Sequence, residues 1–217
     1  MKLNQCINLI VSCGAILLLP NVCFANDSND PITVKIGLGK VNLKNTFDAA
    51  GLTAKGYTVN GYETNDVDEN SESYGLAYDI SPRLSLDINL QSFGKVNSTL
   101  DVKLPEGKTA KQAAAEIESA SSQQLGGMLI TLGGSYIKPV SPRFDVRMGA
   151  GLLFGKGDHQ ITINDEAFDI DERISAPYIK LGVGVKLTRG FTLTAHTERY
   201  FLDDDVERYE VGLSYSY

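Results

Sequence analysis

The chain has no tryptophan, only two histidines in 217 residues, and three cysteines, all within its first 23 positions. Cys6, Cys13 and Cys23 belong to a leader, so the chain beyond it carries no thiol. Disulfides, thiolate catalysis and cysteine-ligated metals are thereby excluded from the mature protein. Long apolar runs are equally scarce. The single one, Ile7–Leu19, stops at Pro20 and is far shorter than the ~20 residues a membrane-spanning helix needs. Basic residues number 20 against 27 acidic ones, a balance that argues against nucleic-acid binding. What is abundant is glycine, at 21, and tyrosine, at 10, which suits many short strands better than a helical bundle.

The leader reads as an address. Lys2 gives a positive start, the apolar run follows, and Cys23-Phe24-Ala25 places small residues at the −3 and −1 positions of a cleavage site. Residues 1–25 are therefore expected to be a secretory signal peptide, leaving 26–217 as one domain. Ile10-Val11-Ser12-Cys13 has the outline of a lipobox, but strongly apolar sequence follows it, and lipidation is not expected. Removing the leader takes away Lys2 alone among the charges, so the mature chain carries 19 basic and 27 acidic residues, net −8.

Period-two alternation, the mark of strands with two unlike faces, recurs along the rest. Apolar residues occupy every second position from Ile32 to Leu38, Tyr74 to Ile80, Leu84 to Leu90, and Met128 to Leu132 and on to Tyr136. The same holds from Phe144 to Phe154, Ile179 to Leu187, Phe191 to Ala195, and Tyr209 to Tyr217, which makes eight strands. Ile80-Ser81-Pro82-Arg83-Leu84 and Val140-Ser141-Pro142-Arg143-Phe144 are nearly the same tight turn, and Leu187-Thr188-Arg189-Gly190-Phe191 is a close variant. Residues 44–72, 94–123 and 155–172 are long polar connections, and 201–206 is a short acidic one. Three tight turns and four loops are the count for eight up-and-down strands with both termini on the turn side. Short turns on the periplasmic side and longer loops outside are the plan of a transmembrane β-barrel. The fold class expected is all-β, an eight-stranded antiparallel up-and-down transmembrane barrel.

The second face of these strands mixes glycine with both signs of charge: Lys35, Asp87, Asp145, Arg147, Lys180, Lys186, Glu198, Arg208 and Glu210. Such a set makes a poor solvent surface but a workable paired network in a narrow lumen, which eight strands leave just wide enough for side chains. Arg147 with Glu198 or Glu210 is expected within that network, with the individual pairs left open. Aromatics bracket the apolar face, with Phe144, Phe191, Tyr215 and Tyr217 near the turns and Tyr74, Phe154 and Tyr209 near the loops.

The ending Tyr209-Glu210-Val211-Gly212-Leu213-Ser214-Tyr215-Ser216-Tyr217 resembles the signal read by the outer-membrane barrel assembly machinery. Its readable positions are Tyr209, Val211, Leu213, Tyr215 and Tyr217, although phenylalanine is the more usual last residue. The stretch Ala176–Val185, with the turn and charged strand after it, resembles the later hairpins of OmpA/OmpX-like barrels. Accessory colonization factors of the AcfA type are similar in size and plan. The resemblance implies a bacterial outer-membrane location, both termini periplasmic, a monomer, and no peptidoglycan-binding domain after the barrel. It also implies a role in surface interaction, by adhesion, colonisation or resistance to host defences. A structural envelope role or a narrow channel is the alternative.

The loops hold the distinctive charge. Residues 44–72 carry net −4, 155–172 net −5, 201–206 net −3, and 94–123 balances, so the rim sums to −12. Expected partners are outer-membrane lipid or lipopolysaccharide, a host surface or another cationic partner, and no nucleic acid. Gln160–Ile163 and Ala167–Ile170 flank Asn164-Asp165-Glu166 as a hairpin, whose edge suits β-augmentation. Its candidate contacts are Asp158, Ile161, Ile163, Asp165, Glu166 and Phe168. Thr109-Ala110-Lys111-Gln112 is a capping box before an alanine-rich run to Ala120, which predicts a short helix. Asp203-Asp204-Asp205 is too compact for a calcium loop, and neither metal nor cofactor is expected. Catalysis is not expected either. His196, in Ala195-His196-Thr197-Glu198, lacks the serine of a lipid deacylase and is turned inward, and no serine is evident beside His159.

Overall fold

The computed structural model describes residues 32–42, 49–65, 69–94, 96–118, 125–188, 190–202 and 206–217. The expected signal peptide and Asp203-Asp204-Asp205 lie outside the described residues. Among the described residues ten strands form in chain order: β1 (Ile32–Asn42), β2 (Thr58–Asn65), β3 (Asn70–Ser81), β4 (Leu84–Phe93) and β5 (Val96–Lys103). They continue with β6 (Gly127–Pro139), β7 (Phe144–Ile163), β8 (Glu166–Lys186), β9 (Phe191–Tyr200) and β10 (Val206–Ser216). Two short helices, α1 (Ala49–Ala54) and α2 (Ala110–Glu118), complete the elements of the described residues.

Eight of the strands close on themselves in the order β1-β3-β4-β6-β7-β8-β9-β10, with β10 returning antiparallel to β1. This is the eight-stranded antiparallel up-and-down barrel that the alternation predicts. One apolar residue from each strand shows how the outer wall is made. Leu38, Leu76, Leu86, Leu132, Leu152, Leu181, Leu193 and Val211 are between 41 and 67% exposed. A continuous apolar belt of that kind is intolerable in water but is the surface a bilayer requires, and the barrel is a transmembrane one.

The tight turns share a mechanism as well as a sequence. The Ser81 hydroxyl accepts from the Arg83 and Leu84 amides at 3.3 and 3.1 Å. Ser141 repeats both bonds with Arg143 and Phe144 at the same distances. The serine oxygen thus satisfies amides that the two-strand ladder leaves open. In the third turn Gly190, at φ 83°, supplies the left-handed residue instead.

The loop end departs from the expected eight strands and simple loops. β7 and β8 run 20 and 21 residues, so their hairpin rises well beyond the wall. Asn164 and Asp165, at φ 47° and 71°, make its two-residue turn, the geometry that favours asparagine and aspartate. β5, from the second loop, joins β7 in parallel through Val96–Leu100, and β2, from the first, joins β5 antiparallel. The result is a four-stranded annex, β2-β5-β7-β8, standing on the barrel rim. α1 and α2 come from the same two loops, and apolar residues of both share one buried core with the annex: Leu52, Tyr57, Leu100, Val102, Ala113, Ala114, Ile117, Ile161 and Ile163.

Candidate functional site

Two regions carry the polar chemistry: the lumen and the annex above it. Inward parity places alternate residues of every barrel strand in the lumen, and register decides which of them meet. Arg208, on β10, is fully buried and is the hub of the upper lumen. Its Nη1 donates to Glu198 at 3.0 Å, its Nη2 to Glu210, and its Nε to the Ser71 hydroxyl at 2.7 Å. Glu210 also accepts from Ser73 at 2.6 Å, and Glu198 from Gln91 at 2.9 Å and from the Tyr200 hydroxyl. His196 Nε2 lies 3.3 Å from Glu198 and 3.5 Å from Glu210.

Nearer the turn end, Asp87 is 1% exposed and takes Lys35, Lys180 at 3.5 Å, and the Ser135 hydroxyl. Arg147 forks onto Asp145 at 2.6 and 3.3 Å. The ion pairs therefore join four cations to four carboxylates, which is how so many charges survive burial. Glycine makes the room. A side chain at Gly37 would collide with the Glu210 carboxylate, and one at Gly184 with the Asp145–Arg147 pair.

Register assigns the pairs that the sequence leaves open, and it corrects one member of the expected set. Arg147 pairs with Asp145 rather than with Glu198 or Glu210, which belong to Arg208. Alternation fixes the face a residue points to but not its height, and Arg147 lies only three positions into β7 while Glu198 lies seven into β9. Lys186, the last residue of β8, is exposed at the turn end and lies beyond the ion pairs.

A polar cavity of about 90 Å³ remains, lined by Thr33, Lys35, Asp79, Arg147, Lys180 and Glu210 among others. Towards the loops it is sealed by an apolar layer: Val41, Phe93, Leu125, Leu129, Leu153, Ile174, Tyr178, Tyr200 and Val206. Tyr200 stacks edge-on to Phe93 at 5.8 Å and tilted to Tyr178 at 5.7 Å. Leu125 comes from the connection after α2, so a loop residue helps to stopper the barrel.

In the annex, side chains fasten the pieces. Asn164 pairs through its amide with both backbone groups of Val102, at 3.2 and 2.9 Å, pinning β5 to the hairpin tip. Thr109 and Gln112 form the capping box, with the Gln112 amide on Thr109 Oγ1 at 3.3 Å and the Thr109 amide on Gln112 Oε1 at 3.1 Å. Lys108 reaches Glu116 at 2.8 and 2.6 Å, and the Tyr57 hydroxyl donates to Glu116 at 2.7 Å, tying the first loop to the second. Hydrogen bonds from Lys108 and Tyr57 hold the Glu116 carboxyl below its ordinary value. Burial pushes the Tyr57 hydroxyl up.

The candidate contact residues divide. Ile161 and Ile163 are 2 and 0% exposed within the annex core, so they support it rather than face a partner. Phe168 packs against that core, half-buried. Asp165 and Glu166 are exposed at the tip. The Asp158 backbone pairs with Asp171 inside the hairpin, and its side chain lies outside what is described. A serine does stand beside His159, contrary to expectation: Ser98 Oγ is 3.2 Å from His159 Nε2 across the β5–β7 ladder. Both are buried, at 2 and 7%, so the pair serves the annex interior. His196 points into the lumen, away from any lipid. The proposed assembly residues Tyr209, Val211, Leu213, Tyr215 and Tyr217 share the outer face, where Tyr215 stacks on Phe191 at 4.7 Å and on Tyr217 at 5.0 Å.

No protein-family profile matches the chain, and no curated protein matches it. Solved structures do resemble it in fold. OprG from Pseudomonas aeruginosa is 14% identical with a TM-score of 0.49, over 85% of this chain and 94% of that one. Neisserial surface protein A is 11% identical with a TM-score of 0.48, over 86 and 97% of the two chains. Ail, the attachment invasion locus protein of Yersinia pestis, is 10% identical with a TM-score of 0.44, over 85 and 96%.

Proposed function

We propose that the chain is an outer-membrane protein of a Gram-negative envelope whose work is surface interaction through the annex, in adhesion, colonisation or resistance to host defences. The orientation follows barrel practice, with turns and termini in the periplasm and the annex outside. The observation that carries the reading is the annex itself. Two loops are spent on building a folded sheet with its own core, far more order than a solvated rim needs.

The edge available for a partner is that of β8. Of the hairpin's two edges, that of β7 is taken by β5. β9 pairs with β8 over Tyr178–Lys186 and Phe201 donates to the Pro177 carbonyl, so among the described residues Glu166–Ala176 has its strand pairing with β7 alone. Exposed Glu166 and Asp169 stand on this strand, within a hairpin region of net −5. An extended cationic segment is the complementary occupant.

The test is adherence to cultured epithelial cells of bacteria displaying the chain or its Glu166→Lys/Asp169→Lys variant. Severalfold weaker adherence, with heat-modifiable gel mobility in the membrane fraction unchanged, is expected. Equal adherence by the two would overturn the docking role, and mobility unaffected by heating would overturn the barrel's membrane assembly.

A further inference from the structure

The turn end of the barrel carries basic residues that the lumen ion pairs do not use. Arg83, Arg143 and Lys186 are exposed, and none makes an ion pair among the described residues. They stand around the lumen mouth. Arg83 and Arg143 come two positions before the buried, inward Ser85 and Asp145, and Lys186 faces buried Thr192 across the β8–β9 ladder. Backbone bonds lace the turns together, from the Ile137 amide to the Arg83 carbonyl and from the Lys186 amide to the Arg143 carbonyl, both at 2.8 Å. Arg83 and Arg143 precede strands two spacings apart, about 10 Å, and Lys186 ends the next strand round.

Nearby acids do not cancel this collar. In the lumen at this end, Lys35, Arg147 and Lys180 balance Asp79, Asp87 and Asp145. At the end itself the sequence adds Lys138 and Arg189 to the three, against Asp27, Asp30 and the C-terminal carboxylate, so five cations meet three anions. The polar cavity lies just inside the collar, and two hydroxyls that line it are idle. Those of Ser85 and Thr192, residues 4 and 9% exposed, make no hydrogen bond among the described residues. Buried hydroxyls are seldom left so, and an entering acceptor would satisfy them.

We infer that the turn-side mouth of the lumen is a docking site for an acidic peptide segment, one carboxylate entering the cavity and others meeting Arg83, Arg143 and Lys186. Its periplasmic location rests on the orientation proposed above, whereas binding at the turn end can be measured without it. Approach is along the barrel axis. Lys138 follows the outward parity of Tyr136 towards lipid, but the three collar residues ring the mouth, inside the circle of headgroups around the wall. One phosphate cannot span cations about 10 Å apart, whereas carboxylates repeated along an extended chain, at about 3.3 Å per residue, can. Asp79 opposes the entering group, because it lines the cavity and faces Ser85 in register.

The experiment is fluorescence anisotropy of labelled hexaglutamate on the full chain in phosphatidylcholine nanodiscs at low salt. Arg83→Gln/Arg143→Gln/Lys186→Gln should weaken binding at least about tenfold, and Thr192→Val about threefold. Asp79→Asn, which removes a repelling carboxylate, should tighten it about threefold. Glu166→Gln/Asp169→Gln on the annex should change nothing. No binding by wild type, or binding that the collar variant keeps, would overturn the site. So would displacement by inorganic phosphate at an ionic strength where chloride leaves the peptide bound, which would make the collar a site for a free oxyanion. Loss of binding in discs containing phosphatidylglycerol would assign it to lipid headgroups and overturn it equally. Heat-modifiable mobility reports on the assembly of each variant, and the exposed collar variant stands alone if Thr192→Val or Asp79→Asn does not assemble.

Discussion

Arg208 shows what a single residue does in this interior. Its guanidinium is fully buried and shared by Glu198 and Glu210, each also bound by neutral donors. Removing it takes the guanidinium from two buried carboxylates, so Arg208→Met should cost about 3–5 kcal/mol of barrel stability. Neutralising the partners together, as Arg208→Met/Glu198→Gln/Glu210→Gln, should recover much of that loss, because the penalty lies in the stranded charge. Urea midpoints of the heat-modifiable band measure both, and a single variant costing under about 1 kcal/mol would refute the hub. That these residues point inward was legible in the sequence, since parity is strict along a strand. Which cation meets which carboxylate was not. It depends on the stagger between strands, and no local pattern reports that for Arg147 or Arg208.

At the scale of elements, legibility follows the source of the order. The barrel strands were readable because each has a lipid face and a lumen face. The helix α2 was readable because its capping box is local. β2 and β5 were missed inside loops read as polar connections, although Ser98, Leu100 and Val102 do alternate with Asn97, Thr99 and Asp101. Their strand state comes from docking on the β7 extension, a partner distant in sequence. That dependence makes a prediction. Ile161 and Leu100 are core residues of the annex, 2 and 1% exposed, so truncating either to alanine should cost the annex about 2–5 kcal/mol. On intact cells, trypsin should then cut at Lys103, Lys108 or Lys111 in the variants far faster than in wild type. The heat-modifiable barrel should persist. If annex and barrel were lost together, the two cores would be one cooperative unit.

For the whole molecule, the two cores and the lumen charges stack in series from the loops to the turns. The annex core lies outermost, the apolar layer with Leu125 closes the barrel mouth, and the Arg208 and Asp87 clusters fill the lumen beneath it. A hydrated ion must lose its shell at the apolar layer and then displace paired charges below, and these barriers add. The remaining cavity, about 90 Å³, holds a few waters but does not extend through the layer. In planar bilayers the wild-type chain should therefore show no steady openings, whatever the salt concentration. Leu125→Ser alone should stay silent, because the Arg208 cluster still fills the lumen. Arg208→Ala alone should stay silent too, because the apolar layer is intact. Only the combination removes an obstacle from each layer, and brief small openings are expected there. Steady wild-type conductance would mean that the layers move aside together, and a channel would then replace surface interaction as the better reading of this barrel.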